Sequence, residues 1–352
     1  MNNRKILFVS GNLLIGGAQR VISLLANDFA RSDWSVHIAL LLDDKIENNI
    51  EDSIQIHNVV HKENRLLAAN KWIKELRSVI LDVKPDVIVS FVGRINLITL
   101  LAAKGLNVPV LVSERNDPLH DSRTSFELYL CKKAYRKADL VVFQTEYQSK
   151  CFKKYCKNKS VIIGNPLLTH VYEGEHPSKD IICVGKLRNQ KNHLMMIKAF
   201  SQVASAFPDI NVHIYGEGVL RKELEQAIND YNLAGRAHLE GNSTDIFQIM
   251  QKNEYFVMCS NYEGLSNALL EALASGMICI STAWDGVEDV IVDGNNGYLV
   301  PVSDVNALAK KLTFVLNNDN SDIRKNAIET GNKYSCGTVL SQWHQAIEGL
   351  IR

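Results

Sequence analysis

A chain of 352 residues is long for one hydrophobic core and suits two domains of ordinary size. An apolar share of 46 % with 22 % charged residues is that of a globular protein, and no apolar run reaches the ~20 residues that span a bilayer. Seven cysteines without a CxxC spacing argue against a disulfide framework and a zinc site, and the zero net charge argues against nucleic acid as a partner.

Short β-rich runs alternate with longer helical patterns from end to end, which predicts an α/β protein with parallel sheets. The apolar part of the opening ten residues is too short for a signal peptide and reads as a first strand at 6–10, as expected of a cytoplasmic protein. A helix over 18–30 follows. Further strands are predicted at 36–41, 87–90, 108–113, 140–143 and 161–163, with helices over 65–81 and 125–137 among them. A polar stretch from Thr169 to Lys179 reads as a linker. Strands then resume at 180–184, 212–215, 237–239, 255–258 and 278–281. The tail from Ser335 predicts an amphipathic helix, with Val339, Trp343, Ile347 and Leu350 at helical spacing. The natural division is two Rossmann-like domains, 1–168 and 169–334, followed by a last helix in 335–352.

The loops after these strands carry the chemistry. Gly16 and Gly17 follow the first strand and precede a helix, where backbone amides can approach a phosphate. Neither GxGxxG nor GxxxxGK[ST] is matched, which disfavours dinucleotide and P-loop readings. Lys186, Arg188 and Lys191 make an electropositive loop after the strand at 180–184. Gly216 and Gly218 close the next strand, and Leu239 to Asn242 the one after. Glu263 and Glu271 stand eight positions apart, one before and one within a helix that starts near Ser266, so they can grip the two ends of a long polar ligand. Asp293 to Pro301 is a turn entering a strand, and Glu288 reads as a helix-starting residue. Residues 1–165 hold 24 Lys and Arg against 17 Asp and Glu, and the remainder 15 against 22. Much of the basic excess lies in 132–159, including Lys157, with Tyr129, Tyr135, Phe152 and Tyr155 interleaved. That pattern suits an anionic membrane surface or a pyrophosphate-bearing lipid, or is a solvated helix face.

The Glu263–Glu271 spacing, with Gly264, Asn267, Ala272 and Gly276, resembles the retaining glycosyltransferases of family 4 and the GT-B fold. The resemblance runs in family order from Gly16 to Trp343. It implies an active site in the interdomain cleft and a last helix that crosses back to the N-terminal domain. It also implies transfer of a hexose or N-acetylhexosamine from a nucleotide sugar, most often UDP-linked (UDP-N-acetylgalactosamine, UDP-galactose or UDP-N-acetylglucosamine). The acceptor would be a glycan or lipid-linked glycan of bacterial surface polysaccharide, and the enzyme cytoplasmic or peripheral on the inner membrane face. By the same resemblance Glu263, Lys191 and Lys186 are catalytic. Gly16, Gly17, Arg188, Gly216, Gly264, Leu265, Ser266, Asn267 and Glu271 bind the donor, while Glu114, Arg115, Asp117 and His120 meet the acceptor. No metal and no cofactor is expected. Lys186 stands where the family usually has Arg, which exchanges a rigid fork for a point charge. Two other classes share the architecture: a UDP-N-acetylglucosamine epimerase, and a nucleotide-sugar-binding protein without turnover.

Overall fold

The computed structural model describes residues 4–351 apart from 15, 61–64, 121–122, 157–158, 169–171 and 173, and of 65–68 only the backbone. Lys157 of the basic run and Thr169 at the head of the expected linker lie outside the described residues. The chain divides into two compact units, Met1–Pro166 with Gly337–Arg352, and Leu167–Cys336. The first carries β1 (Lys5–Ser10), α1 (Gly17–Arg31), β2 (Ser35–Leu40), β3 (Gln55–Asn58), α2 (Arg65–Val83) and β4 (Val87–Phe91). It continues with α3 (Gly93–Ala102), β5 (Val110–Ser113), α4 (Ser125–Tyr135), β6 (Leu140–Phe143), α5 (Glu146–Cys156) and β7 (Ser160–Ile162). The second holds β8 (Ser178–Val184), α6 (His193–Val203), β9 (Val212–Tyr215), α7 (Arg221–Asp230), β10 (Ala237–Gly241), α8 (Ile246–Lys252) and β11 (Asn253–Met258). It closes with α9 (Asn267–Ala274), β12 (Ile278–Thr282), β13 (Tyr298–Val300), α10 (Val305–Asn317) and α11 (Ser321–Asn332), before α12 (Cys336–Glu348).

Both sheets are parallel, with strand orders β3-β2-β1-β4-β5-β6-β7 and β10-β9-β8-β11-β12-β13. Parallel strands need crossover helices, which cover both faces, so central strands read as unbroken apolar runs. Successive side chains of β1 point to opposite faces. Ile6 and Phe8 meet Val21, Leu25 and Phe29 of α1, whereas Leu7 and Val9 join the cluster of Trp72, Leu76 and Ile80 of α2. The second unit repeats the plan: Ile181 and Cys183 share a core with Met196 and Phe200 of α6, while Ile182 packs with Leu269, Leu270 and Leu273 of α9. Val339, Trp343 and Ile347 of α12 are buried in the same cluster as Ile6 and Phe8, so the last helix is part of the first unit's core. Residues 178 and 179, expected in the linker, instead begin β8.

In each sheet the chain order reverses direction at one place, between β1 and β4 and between β8 and β11. Loops at the carboxyl ends of such a pair diverge and leave a crevice for a ligand.

Candidate active site

In the second unit that crevice is flanked by the loops after β8 and β11, which carry Lys191 and Glu263. The pairing of β11 with β8, in the register Phe256 with Ile182, brings residues 72 positions apart into contact. Lys191 Nζ donates to Glu263 Oε1 at 2.6 Å, with side-chain exposures of 17 and 9 %. The same oxygen accepts from Ser260 Oγ at 2.7 Å, and Gln190 Nε2 lies 3.5 Å from Oε2. Ser260 is fully buried, and its carbonyl accepts from Thr282 Oγ1 at the end of β12. The two loops are also stitched directly. Asn261 N donates to the Gln190 carbonyl, Asn261 Nδ2 to that of Asn189, and Gln190 Nε2 to that of Tyr262, all between 2.8 and 3.0 Å.

The basic loop is shaped from below. Leu187 is buried and anchors it, leaving Lys186 and Arg188 on either side exposed. Leu187 N donates to the Glu217 carbonyl and Leu220 N to that of Leu187, which clamps the loop to the end of β9. Gly216 makes the clamp possible: at φ +142° it adopts a backbone L side chains avoid, and a Cβ there would stand 2.1 Å from the Gly185 carbonyl oxygen. Gly216, expected as a donor contact, also holds the basic loop in place. His193, the first residue of α6, is buried with Nε2 donating to Gly185 O at 3.1 Å. Burial pulls its pKa down from 6.5 to about 4, with the nearby Lys191 charge adding to the shift, so the ring is neutral at physiological pH.

Glu271 rides α9, whose N-cap is Ser266. Ser266 makes no side-chain capping bond and the first turn has no acidic residue, so the positive end of the helix favours an anion. Leu265 and Ser266 are buried, while Gly264, Asn267 and Glu271 are half-buried. Lys186, Arg188, Lys191, Gly216, Glu263, Gly264, Leu265, Ser266, Asn267 and Glu271 thus all belong to one unit and to the loops and helix start around β8, β9 and β11.

In the first unit, Gly16 is the N-cap of α1 and Gly17 its first residue, again with no acidic side chain in the first turn. Gln19 Nε2 donates to Asn12 Oδ1 at 3.1 Å, closing the loop on itself. The loop after β5 departs from the expected acceptor-facing set. Glu114 is fully buried and accepts from Arg123 Nη1 and Tyr135 Oη, each at 2.8 Å. Arg115 is buried between the rings of Phe91 and Trp343, at 5.3 and 5.2 Å, with one Nη donating to Asn165. Desolvation draws its pKa down to about 9, which leaves it charged at neutral pH. Both side chains point into the unit because β5 lies in the middle of the sheet, where a strand-end residue has packed neighbours on either side. Asp117 forms a turn, accepting from Leu119 N and from His120 Nδ1 at 2.7 Å; of the four, His120 is the exposed one.

Comparison with known proteins agrees with the two-unit fold. Residues 15–169 match the family model described as Glycosyltransferase Family 4, and residues 171–334 the model described as Glycosyl transferases group 1. The chain belongs to glycosyltransferase family 4. Among relatives of this glycosyltransferase is the alpha-1,4-N-acetyl-D-galactosaminyltransferase of Campylobacter jejuni that acts on an undecaprenol-linked GalNAc-containing glycan. It is 25 % identical, over 97 % of this chain and 98 % of the relative. A second from the same organism, the 4-alpha-N-acetylgalactosaminyltransferase acting on N-acetylgalactosamine-N,N'-diacetylbacillosaminyl-diphospho-undecaprenol, is 28 % identical over 86 and 88 %. The crystal structure of Anabaena HepE in complex with UDP and glucose superposes with a TM-score of 0.81 over 99 and 100 % of the two chains, at 18 % identity, a likeness of fold. The enzyme is a GT-B glycosyltransferase with two Rossmann-like domains.

Three further residues, Ser260, Gln190 and Thr282, join the network around Glu263 without standing out in the sequence. Their signal is slight. Only the three-residue step from Ser260 to Glu263 within a non-helical loop hints that hydroxyl and carboxylate can meet.

Proposed function

We propose that the protein is a retaining glycosyltransferase that moves an N-acetylhexosamine or hexose from a UDP-sugar to a hydroxyl of a glycan or lipid-linked glycan in bacterial surface polysaccharide synthesis. The observation that carries this reading is the Lys191–Glu263 pair at the β8/β11 crevice, beside the start of α9. Breaking the anomeric C–O bond leaves negative charge on the departing diphosphate. Lys191, Lys186, Arg188 and the α9 amides would neutralise it, a task that here needs no divalent metal. Glu263 would hold the sugar hydroxyls and offset positive charge growing at the ring, while Glu271 would accept from the ribose hydroxyls. The acceptor then enters on the face the leaving group vacates, and the diphosphate takes its proton. Relatives named for transfer of N-acetylgalactosamine onto undecaprenol-linked glycans support the acceptor class, and a neighbour of like fold seen with UDP supports the base.

The test is a thermal-shift series with UDP-, GDP- and ADP-sugars, followed by transfer assays with the donor that stabilises the fold. A rise in Tm with UDP-sugars is expected. Glu271→Gln should mainly raise the donor KM and Lys191→Ala should lower kcat, with EDTA leaving the rate unchanged. Wild-type kinetics in both variants would overturn the assignment.

A further inference from the structure

Two features of α4 stand outside the site above. Its exposed residues Phe126, Tyr129 and Lys133 and its C-cap Arg136 follow at steps of three and four, which places them along one stripe. Phe126 is 68 % and Tyr129 44 % exposed, and the preceding loop adds Leu119 at 59 %. The stripe changes along its length, from apolar rings at the helix start to cations at its end. The neighbouring α5 extends the cationic end with exposed Lys150, Lys153 and Lys154. Ring contacts fix the two helices side by side: Lys132 over Phe152 at 5.5 Å and Arg136 over Tyr155 at 5.3 Å.

Among the described residues, the acidic groups nearby do not balance these cations. Glu127 is held by Arg94 through two hydrogen bonds of 2.9 and 3.0 Å, and Asp139 accepts from the Val110 amide. Glu146 is the exposed acid of α5. The helix is also rigid at both ends, through the Thr124–Glu127 capping box and the buried Tyr135 hydroxyl on Glu114. A fixed helix that exposes Phe and Tyr next to a dense cationic face has the two elements of interfacial binding: apolar groups for the acyl boundary and charge for anionic headgroups. We propose that the α4–α5 face docks this enzyme on a bilayer rich in anionic lipid, with Phe126 and Tyr129 inserted and Lys133, Arg136, Lys150, Lys153 and Lys154 over the headgroups. The charge complementarity selects an anionic surface, and the exposed rings select a bilayer over a purely polar polyanion.

The test is co-sedimentation of the full chain with phosphatidylglycerol-containing vesicles and with phosphatidylcholine vesicles, at low and high salt. Partition only onto the anionic vesicles, falling as salt rises, is expected. Lys133→Glu with Lys153→Glu and Lys154→Glu should weaken it at least about tenfold, and Phe126→Ser several-fold at constant charge. A matched triple charge reversal at Lys222, Lys310 and Lys325, exposed in the second unit, should leave it within about twofold of wild type. Equal loss in that control, no effect of Phe126→Ser, or retention on heparin without vesicle binding would each overturn the proposal. Melting temperature under the same buffers separates a docking defect from a folding one. Donor binding by thermal shift is unaffected by the docking variants, so this proposal can fail while the glycosyltransferase reading stands.

Discussion

Glu263 Oε1 receives two charge-assisted or polar donors within 2.7 Å, Lys191 Nζ and Ser260 Oγ. If Lys191 turns to a diphosphate, Ser260 alone holds that oxygen in place. Hydrogen bonds to charged groups contribute about 1.5–3 kcal/mol. Ser260→Ala should therefore lower kcat roughly ten- to a hundredfold with a smaller change in donor KM, measured by steady-state kinetics, whereas a Ser260 that merely packs would leave the two constants alone. His193 acts on stability instead. Its folded pKa of about 4 lies below its unfolded value near 6.5, so the unfolded chain binds the extra proton between those values. The His193 contribution is present above pH 6.5 and is lost as pH falls toward 4; burial lowers His37, His57 and His176 in the same sense. Tm should decline through that window, and His193→Gln, which keeps a donor for Gly185, should flatten the decline. Of these roles the sequence shows the carboxylate and the ammonium, because their charge and spacing stand out. It hides Ser260, Glu114 and Arg115, whose meaning depends on partners such as Arg123, Tyr135 and Trp343 that only folding brings near.

Among elements, the strand-end loops and most strands were legible, the edge strands β7 and β10 included, and one sheet edge was not. Strands β1, β4, β8 and β11 lie at the centre, buried on both faces, and their apolar runs give them away to within two residues. Strand β3 is an edge strand with a half-exposed Gln-Ile-His-Asn sequence, which no alternation distinguishes from a loop. The β9 loop shows how one element holds another in place. Gly216→Ala would drive a methyl against the Gly185 carbonyl and push the basic loop off its clamp. Overpacking of this kind costs about 1–3 kcal/mol. Donor KM should rise along with the fall in Tm. Gly235→Ala is the comparison: its φ is +77°, yet nothing lies within 4 Å of the added carbon, so it strains the backbone without moving the loop and should leave KM unchanged.

For the whole molecule, the decisive fact is that the first unit takes its core from both ends of the chain. Trp343 is fully buried 5.5 Å from Phe91 and forms one side of the sandwich around Arg115. Trp343→Ala should cost about 3–5 kcal/mol. Hydrogen exchange can localise that loss, with faster exchange expected in β1 and β4 and unchanged protection in β8 and β11. The expectation that 335–352 forms an amphipathic helix follows from its spacing alone. Its place beside Ile6 and Phe8 rests on shape complementarity that periodicity cannot express.

Translation gives this arrangement an order in time. Residues 1–166 are made before the second unit, yet the part of their core over Ile6 and Phe8 that α12 covers stays open until that helix is synthesised. The second unit, contiguous from Leu167 to Cys336, has its whole chain in hand before then. A chain cut before α12 would thus carry a finished second unit tethered to a first unit with a sticky, open seam, a natural substrate for chaperones and proteases.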